Sequence, residues 1–318
     1  MRATVIGCGR WGSFIAWYLN ELGHSVTLYG RTNSAHMNAF LSARSNGLVT
    51  LHEDIVLSTR LEDAVSDADL IVISIASQAL RGMLRESGKC LRGKPLVLCM
   101  KGLEIGTGKR LTEIVTDTLG EDTAVAVWLG PGHVQEFINR VPNCMVIDSA
   151  DEGLKHKLVD AFSGELIRFY YGRDLLGNEV GAAAKNVVGI AAGMLDGLGL
   201  GTLKGALMSR GTREMSRLIK AMGGNELSIY GLCHLGDYEA TVFSPYSHNR
   251  RFGECFARGE AYKELAEGYY TVEALLTLSE RHAVELPICR AVHEVLYEGK
   301  DMRRTLDGLF RRSLKEEM

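Results

Sequence analysis

The N-terminal segment joins a short apolar run to a glycine-rich turn, a helical pattern and a second apolar run. Residues 3–6 (ATVI) have the composition of a strand that is buried on both faces. Gly7, Gly9 and Gly12 follow at once with the spacing GxGxxG, and the second run, SVTLY, ends at Tyr29. A strand, glycine turn, helix and strand within about thirty residues predicts a parallel βαβ unit, which restricts the chain to α/β folds.

The three glycines have distinct physical roles in a dinucleotide-binding turn. Gly7 allows a tight turn, Gly9 lets the main chain approach a pyrophosphate, and Gly12 lets helix and strand pack closely. The helix N-terminus then faces the phosphates. The second strand ends in YGRT at 29–32, without the Asp or Glu that usually binds the ribose of NAD. Arg31 is either a solvated residue or the partner of a 2′-phosphate, so NADP is favoured over NAD.

Strand-like and helical patterns alternate through the first half of the chain. Further strands are expected at 55–58, 69–74, 95–100, 123–130, 144–147 and 166–171. From Asp174 onward helical periods dominate, ending in an amphipathic pattern at 309–318. We therefore predict an α/β fold with two domains: a doubly wound (Rossmann) parallel-sheet domain of residues 1–172 that binds the dinucleotide, and an all-helical substrate domain of residues 173–318.

One apolar stretch in the second half contains a lysine. Residues 179–201 (EVGAAAKNVVGIAAGMLDGLGLG) are almost all apolar or small, as in a helix at the centre of a fold. Lys185 lies within it, beside Asn186. Burial penalises an unpaired ammonium and lowers the pKa of a lysine, so Lys185 is a candidate general acid or base. Alternatively, Lys185 lies at an exposed helix end or pairs structurally with Glu179.

Other polar segments stand where a ligand of such a sheet would bind. Residues 74–78, 101–103 and 130–133 each follow a predicted strand, at whose carboxyl end ligands lie. Lys101 is either at the mouth of the cofactor crevice or solvated in a turn. Residues 233–253 (CHLGDYEATVFSPYSHNRRFG) are expected to form one polar loop, which either holds a small anionic substrate or is merely solvated.

The charge and cysteine content exclude several other classes of protein. The formal net charge is −3 and basic residues are dispersed, which argues against nucleic-acid and membrane-surface partners. The seven cysteines lack CxxC or His/Cys ligand spacing, so we expect reduced thiols, no metal site and a cytoplasmic location. No apolar run approaches the length of a membrane span.

Ordered short motifs extend over nearly the whole chain. In the first half they are GCGRWG at 7–12, YGR at 29–31, SQAL at 77–80, KGLE at 101–104 and GPGHVQE at 130–136. In the second half they are AAAKNVVGIAAGMLDGLGLG at 182–201, SRG with EM at 209–215, GD at 236–237, SHNRRFG at 247–253, AEG at 266–268 and LPICRAVHEVLYEG at 286–299. With these motifs the chain resembles the soluble NAD(P)-dependent glycerol-3-phosphate dehydrogenases of bacterial type.

The resemblance implies hydride transfer between the nicotinamide and C2 of dihydroxyacetone phosphate, which gives sn-glycerol 3-phosphate for phospholipid synthesis. It makes Lys185 the proton donor and acceptor, with Lys101 and Asp237 as further catalytic residues. It also implies a homodimer and a small phosphorylated three-carbon substrate. The implied substrate-binding residues are Lys101, Gly130, Gly132, Lys185, Asn186, Asp237, Thr241, Ser247, His248 and Asn249. The implied cofactor-binding residues are Gly7, Gly9, Arg10, Trp11, Gly12, Arg31, Lys101, Val134, His248 and Glu267.

The chain departs from the family pattern at three places. The family usually has Ser or Thr at Gly132, Arg at His248, and a YLPG-like segment where SARSNG stands at 42–47. The Arg is expected to hold the substrate phosphate, and histidine lacks its permanent charge and its bidentate fork. Charged His248, Arg250 or Arg251 could compensate. Two alternatives therefore stay open: a reductase of the same architecture acting on another 2-oxo or 2-hydroxy compound, and a cofactor-binding regulator.

Overall fold

The computed structural model describes residues 1–313, so the last part of the helical pattern predicted for 309–318 lies outside the described residues. The chain forms two compact units, one of Met1–Lys101 with Lys109–Glu179 and one of Gly102–Gly108 with Val180–Met318. The sequence-based division between residues 172 and 173 stays a prediction. Within residues 1–313, no helix is long and apolar enough to cross a membrane. All seven cysteines are free thiols.

The first unit is built on one eight-stranded sheet in the described part of the chain. Its strands are β1 (Arg2–Ile6), β2 (Ser25–Tyr29), β3 (Val56–Ser58), β4 (Leu70–Ile73), β5 (Leu96–Leu98), β6 (Val125–Leu129), β7 (Asn143–Ser149) and β8 (Ile167–Tyr171). The spatial order is β3-β2-β1-β4-β5-β6-β7-β8. The chain reverses direction across the sheet between β3 and β4, beside β1, which is where such folds bind ligands. The prediction of an α/β fold with a Rossmann-type sheet is confirmed.

The last two strands depart from the parallel arrangement. The first six strands run parallel to one another, whereas β7 pairs with β6 antiparallel and β8 then pairs with β7 in parallel. The connection from β6 to β7 contains helix α6 (Val134–Ile138), which has five residues. A parallel crossover usually needs a helix long enough to run back along the sheet, and α6 is too short for that.

Helices cover the sheet of the first unit. They are α1 (Arg10–Glu21), α2 (Ala35–Ala43), α3 (Leu61–Val65), α4 (Leu80–Leu91), α5 (Leu111–Leu119), α6, α7 (Glu152–Phe162) and the first turn of α8 (Leu175–Gly197). The strands β1, β4, β5 and β6 have nearly continuous buried runs, as expected of a sheet with helices on both faces. Trp128 in β6 is fully buried, and its ring meets that of Phe169 edge-on with a centre-to-centre distance of 4.8 Å.

The second unit contains helices and no strand of the sheet in its described residues. Its helices are the remainder of α8, α9 (Lys204–Ala221), α10 (His248–Arg258), α11 (Glu267–Arg281), α12 (Pro287–Tyr297) and α13 (Met302–Phe310). The predicted central helix exists, but its bounds are shifted: α8 starts at Leu175 instead of Glu179 and ends at Gly197 instead of Gly201. Gly199 has φ +73°, a left-handed conformation that ends the helix.

The prediction that residues 233–253 form one polar loop is wrong. The segment contains a 3-10 turn (Leu235–Asp237), a π-helical turn (Glu239–Phe243) and the first turns of α10, which starts at His248. The hydroxyl of Ser247 accepts a hydrogen bond from the amide of Arg250 and caps α10. Of the polar residues interpreted as a loop, only those from Ser247 onward form the cap and first turns of α10.

Helices α8 and α10 touch through their main chains. A Cβ atom on Gly193 would lie 1.8 Å from the carbonyl oxygen of Arg250, and one on Gly253 would lie 2.1 Å from that of Ile190. Any side chain at Gly193 or Gly253 would therefore separate the two helices. This close approach is why residues 182–201 are so rich in glycine and alanine.

Candidate active site

The glycine turn after β1 has the geometry that its sequence predicts. Gly7 has φ +110°, and a Cβ there would lie 2.1 Å from the carbonyl oxygen of Ser74. A Cβ on Gly12 would lie 1.9 Å from the carbonyl oxygen of Gly7, so helix and strand meet at van der Waals distance. A Cβ on Gly9 would meet nothing within 4 Å. Gly7 and Gly12 are therefore packed against other protein atoms, whereas Gly9 faces open space.

The start of α1 fits the pyrophosphate of a dinucleotide. Gly9 is the N-cap, makes no side-chain capping bond, and is followed by a first turn without acidic residues. The first amide groups of α1 are thus available to an anion beside the open space at Gly9. Arg10 donates to Gln135 Oε1 at 3.2 Å, and the Trp11 ring packs on Phe14 at 5.2 Å. Val134, at the start of α6, is buried.

Arg31 follows β2 and is exposed. Within residues 1–313 its guanidinium has no hydrogen-bond or ion-pair partner, so its donors can bind a ligand. The departure at 42–47 has a structural explanation: Arg44 has φ 52° and its guanidinium donates to the carbonyl oxygens of Leu51, His52, Glu53 and Ile55. Arg44 therefore holds the loop that follows α2.

Lys101 and Gly130 are joined across the carboxyl ends of neighbouring strands β5 and β6. Lys101 is half-buried, and its Nζ donates to the carbonyl oxygen of Gly130 at 2.6 Å. Gly130 has φ +124°, a conformation that favours glycine. The alternative of a lysine merely solvated in a turn is wrong, because this ammonium is anchored to the sheet edge.

Gly132 leaves no room for the hydroxyl side chain that the resemblance leads one to expect. Its φ is +140°, and a Cβ there would lie 2.3 Å from the Phe137 ring. Phe137 is 1% exposed and stacks on Phe14 at 5.0 Å. Phe137 therefore occupies the space of a side chain at position 132, a compensation that the sequence analysis missed.

In the second unit, Lys185 is buried and paired. It is 7% exposed, its Nζ lies 2.8 Å from Asp237 Oδ2, and it donates to Thr241 Oγ1 at 2.7 Å. Asp237 and Thr241 are each 1% exposed. The carboxylate stabilises the charged ammonium, and the threonine hydroxyl fixes a second of its three protons. These two buried neighbours therefore fix the orientation of the Lys185 ammonium.

Both alternative interpretations of Lys185 are wrong. The lysine lies in the middle of α8, away from its ends. Glu179 instead accepts hydrogen bonds from Arg110 at 2.8 Å and from the hydroxyl of Thr112 at 2.6 Å. Burial raises the pKa of Glu179, and the Arg110 guanidinium opposes that shift.

Asn186 and Asn249 form an amide pair beside Lys185. Asn249 Nδ2 donates to Asn186 Oδ1 at 3.0 Å, and Asn249 Oδ1 accepts from the amide of Gly268 at 2.9 Å. Glu267, the first residue of α11, precedes that amide. A Cβ on Gly189 would lie 2.8 Å from Thr241 Cγ2 and 3.2 Å from Asn249 Cβ. Glycine at 189 therefore lets two elements, the turn of Thr241 and helix α10, pack against α8.

His248 starts α10 and is engaged by a tyrosine. Its Nδ1 lies 2.5 Å from the hydroxyl of Tyr262, and the Arg251 guanidinium lies 5.8 Å from the Tyr262 ring centre. Arg251 is exposed one turn after His248. Arg250 instead binds Asp196 at 2.5 Å and Glu254 at 3.2 Å. Of the two arginines, Arg251 is the one whose charge is available near His248.

Two buried residues near the lysine were missed by the sequence analysis. His234 is fully buried and lies between the carbonyl oxygen of Gly181, at 2.8 Å, and the hydroxyl of Tyr238, at 2.5 Å. Burial lowers the pKa of His234 to about 4. No sequence motif marks His234 or Tyr238, because both act through contacts that folding makes.

The predicted residues are divided between the two compact units. In the first unit they are Gly7, Gly9, Arg10, Trp11, Gly12, Arg31, Lys101, Gly130, Gly132 and Val134. In the second unit they are Lys185, Asn186, Asp237, Thr241, Ser247, His248, Asn249 and Glu267. Hydrogen bonds and ion pairs link Lys185, Asp237 and Thr241, and separately Asn186 with Asn249. Within residues 1–313, no group of three or more His, Cys, Asp or Glu is arranged to hold a metal ion.

A dinucleotide turn on a Rossmann sheet, together with a buried lysine–carboxylate pair in a helical unit, defines a nicotinamide-dependent dehydrogenase. The family model described as NAD-dependent glycerol-3-phosphate dehydrogenase N-terminus matches residues 2–155, and the corresponding C-terminus model matches residues 174–307. The chain belongs to the NAD(P)-dependent glycerol-3-phosphate dehydrogenase family.

Individual relatives agree with this assignment over their full length. Proteins named glycerol-3-phosphate dehydrogenase [NAD(P)+] from a Thermoanaerobacter species and from Streptomyces avermitilis are 35% and 37% identical to this chain. Both alignments cover 100% of this chain and 99% and 98% of the relatives. The crystal structure of glycerol-3-phosphate dehydrogenase from Coxiella burnetii superposes with a TM-score of 0.92 at 28% identity, covering 98% of this chain and 99% of that one.

Proposed function

We propose that this protein interconverts dihydroxyacetone phosphate and sn-glycerol 3-phosphate, with Lys185 moving the proton at the C2 oxygen. The observation that carries the proposal is the contact of buried Lys185 with Asp237 at 2.8 Å and Thr241 at 2.7 Å. When bound, the nicotinamide supplies or takes up the hydride at C2. The chain must then provide a proton in one direction and accept it in the other.

Asp237 and Thr241 prepare Lys185 for proton donation. The carboxylate favours the ammonium form, and the contacts with Asp237 and Thr241 orient the Lys185 ammonium toward the substrate oxygen in this proposal. In ketone reduction, that proton passes to the alkoxide that develops at C2, and the lysine becomes a neutral amine beside Asp237. In the reverse direction, the amine takes the proton of the C2 hydroxyl. Lys101, as a second ammonium, stabilises negative charge on the substrate in this proposal.

The nucleotide is held by the first amides of α1 and by Arg31. Gly7, Gly9 and Gly12 let the main chain approach the pyrophosphate, and Arg10, Trp11, Lys101, Val134, His248 and Glu267 are further cofactor contacts by family resemblance. Arg31 is exposed and its guanidinium has no partner within residues 1–313, which suits a 2′-phosphate. We therefore favour NADP over NAD.

The substrate phosphate is assigned to the N-terminus of α10. Ser247 and Asn249 flank His248, and Arg251 supplies permanent charge one turn later. In this arrangement His248 and Arg251 together replace the arginine usual in the family. The family resemblance also assigns Gly130, Gly132, Asn186 and Thr241 to substrate binding. The histidine contributes charge only when protonated, so substrate affinity should weaken as pH rises through neutrality.

The biological setting is proposed on the family and on the sequence. The product would supply phospholipid synthesis, as the family resemblance implies. Seven free cysteines fit a reducing cytoplasm. We also propose a homodimer, and a domain boundary between residues 172 and 173.

The test compares dihydroxyacetone phosphate with unphosphorylated ketones, using purified protein and either NADPH or NADH. We expect turnover of the phosphorylated ketone and a KM that rises between pH 6 and pH 8. His248→Arg should lower that KM about tenfold and flatten its pH dependence, because the new charge is permanent and forked. His156→Arg adds the same charge on the exposed face of α7 and should change neither value. Efficient turnover of an unphosphorylated ketone, with His248→Arg inactive or neutral, would show that the pocket evolved for another substrate.

A further inference from the structure

We propose that His234 is a positioning residue, whose buried ring holds Asp237 in contact with Lys185 by joining helix α8 to Tyr238. The proposal deepens the function proposed above and rests on its assignment of the proton to Lys185. It adds two residues, His234 and Tyr238, that have no role in the family resemblance.

The ring of His234 lies between the two elements that carry the ion pair. Its Nδ1 lies 2.8 Å from the carbonyl oxygen of Gly181, one helical turn before Lys185 in α8. Its Nε2 lies 2.5 Å from the hydroxyl of Tyr238, the residue after Asp237. A Cβ on Gly181 would lie 3.2 Å from His234 Cβ, so glycine allows this approach. One ring therefore sets the distance between the helix of the lysine and the turn of the carboxylate.

The hydrogen-bond partners determine the tautomer of His234. A carbonyl oxygen only accepts, so Nδ1 carries the hydrogen and donates to Gly181, while Nε2 accepts the Tyr238 proton. Burial lowers the pKa of His234 to about 4; the nearby charges that act on it, Lys185 and Asp237, have opposite effects. The ring is therefore neutral near pH 7, and both hydrogen bonds persist at the pH of catalysis.

Asp237 depends on such an anchor because its own secondary structure is short. It ends a three-residue 3-10 turn, and its amide donates to the carbonyl oxygen of His234 at 3.0 Å. A single 3-10 turn has few internal bonds and little resistance to displacement. Tyr238 is also fully buried, with its hydroxyl 3.4 Å from Thr212 Oγ1. Loss of the ring would let the carboxylate withdraw from the ammonium.

Withdrawal of Asp237 changes the protonation of Lys185. A carboxylate in contact favours the ammonium, and a more distant one favours it less. Proton donation to the substrate would then fail at a lower pH than in the native enzyme. A purely structural residue would lower stability without moving this pH.

The experiment uses His234→Asn and Tyr238→Phe in the full-length protein. Asparagine can retain the bond to Gly181 and loses the one to Tyr238, and phenylalanine removes the same bond from the other side. The first readout is the rate of Lys185 acetylation by trace acetic anhydride across pH, followed by mass spectrometry. The second is kcat for ketone reduction across pH. His24→Asn is the matched control, because it removes an imidazole contact of 3.0 Å to the carbonyl oxygen of Ala161 in the first unit.

Both variants should shift the midpoint of Lys185 labelling down by about one pH unit and lower kcat about tenfold, with the control unchanged. If His234→Asn does not fold, Tyr238→Phe alone provides the test, because that variant retains the His234 imidazole. Unshifted labelling in a folded variant overturns the inference. Labelling needs no substrate. If the variants show the shift while the wild-type protein does not turn over dihydroxyacetone phosphate, the inference is supported and the proposed function is refuted.

Discussion

The carboxylate of Glu214 caps helix α12 from within the second unit, and this makes the stability of that unit depend on pH. Glu214 is 1% exposed and accepts hydrogen bonds from the amides of Ile288 at 2.9 Å and Cys289 at 3.1 Å. Helix α12 starts with Pro287, and its N-cap residue makes no side-chain capping bond. Burial raises the pKa of Glu214 to about 7, because the two amides only partly offset desolvation.

The sign and size of the effect follow from that pKa. The ordinary value is 4.5, so between pH 4.5 and 7 the folded protein holds a proton that the unfolded chain has lost. The protonated Glu214 side chain therefore makes its full contribution to the free energy of unfolding below pH 4.5, and this contribution is lost as pH rises to about 7. A difference of 2.5 units from the two values corresponds to about 3 kcal/mol at most. Glu214→Gln, which cannot ionise, should lack this dependence.

Urea unfolding of wild type and Glu214→Gln between pH 5 and pH 8 tests the argument, at one protein concentration. The difference in unfolding free energy should shift by about 2–3 kcal/mol in favour of the variant as pH rises. Circular dichroism follows the helices, while the three tryptophans, all in the first unit, provide a fluorescence signal for that unit. Glu280→Gln, at an exposed site, is the control. Parallel stability curves for wild type and Glu214→Gln would refute the reasoning.

Three shorter predictions concern the candidate site. Lys185→Ala should lower kcat at least about 100-fold with little change in cofactor affinity, measured by steady-state kinetics and fluorescence titration; near-native turnover would exclude Lys185 as the proton donor. Arg31→Ala should weaken NADPH binding more than NADH binding, and equal losses would show that Arg31 does not bind the extra phosphate. Gly132→Ser should cost about 2–4 kcal/mol in urea unfolding, since φ is +140° and the new Cβ meets the Phe137 ring. Adding Phe137→Leu should recover part of that loss, and strictly additive costs would argue against the steric explanation.

The sheet was predictable because its determinants are local. Buried parallel strands are short apolar runs, and Gly12 is required by its contact with Gly7 within one βαβ unit. The ends of α8 were not predictable in the same way. Asn178 and Glu179 are polar and therefore suggest the start of a helix, but both are buried near the start of α8. Asn178 donates a hydrogen bond to Asp148, and Glu179 accepts hydrogen bonds from Arg110 and Thr112. The prediction of one polar loop at 233–253 failed for a related reason, because 3-10 and π-helical turns lack the 3.6-residue period that identifies an α-helix in a sequence.

The partners of the site residues could not be read from the sequence. Lys185 was singled out by its apolar neighbours, but Asp237 and Thr241 are distant in sequence and were found only through family resemblance. His234 and Tyr262 had no motif to mark them, since each acts through a contact made by folding. The conflict at Gly132 was visible in the sequence, whereas its resolution by Phe137 depends on the path of the chain after β6.

The main-chain contact between α8 and α10 has a consequence for how this enzyme can change over time. At Gly193 and Gly253 the main chains of α8 and α10 lie against each other. The distance between the two helices, which carry Asn186 and Asn249, is therefore set there by main-chain contacts and not by the size of side chains. Residues at the start of α10 can therefore be exchanged singly while the helix pair stays in register. A histidine at position 248 is the kind of replacement such a frame tolerates, and under the proposed role of this position a library varied there would test substrate preference within one fold.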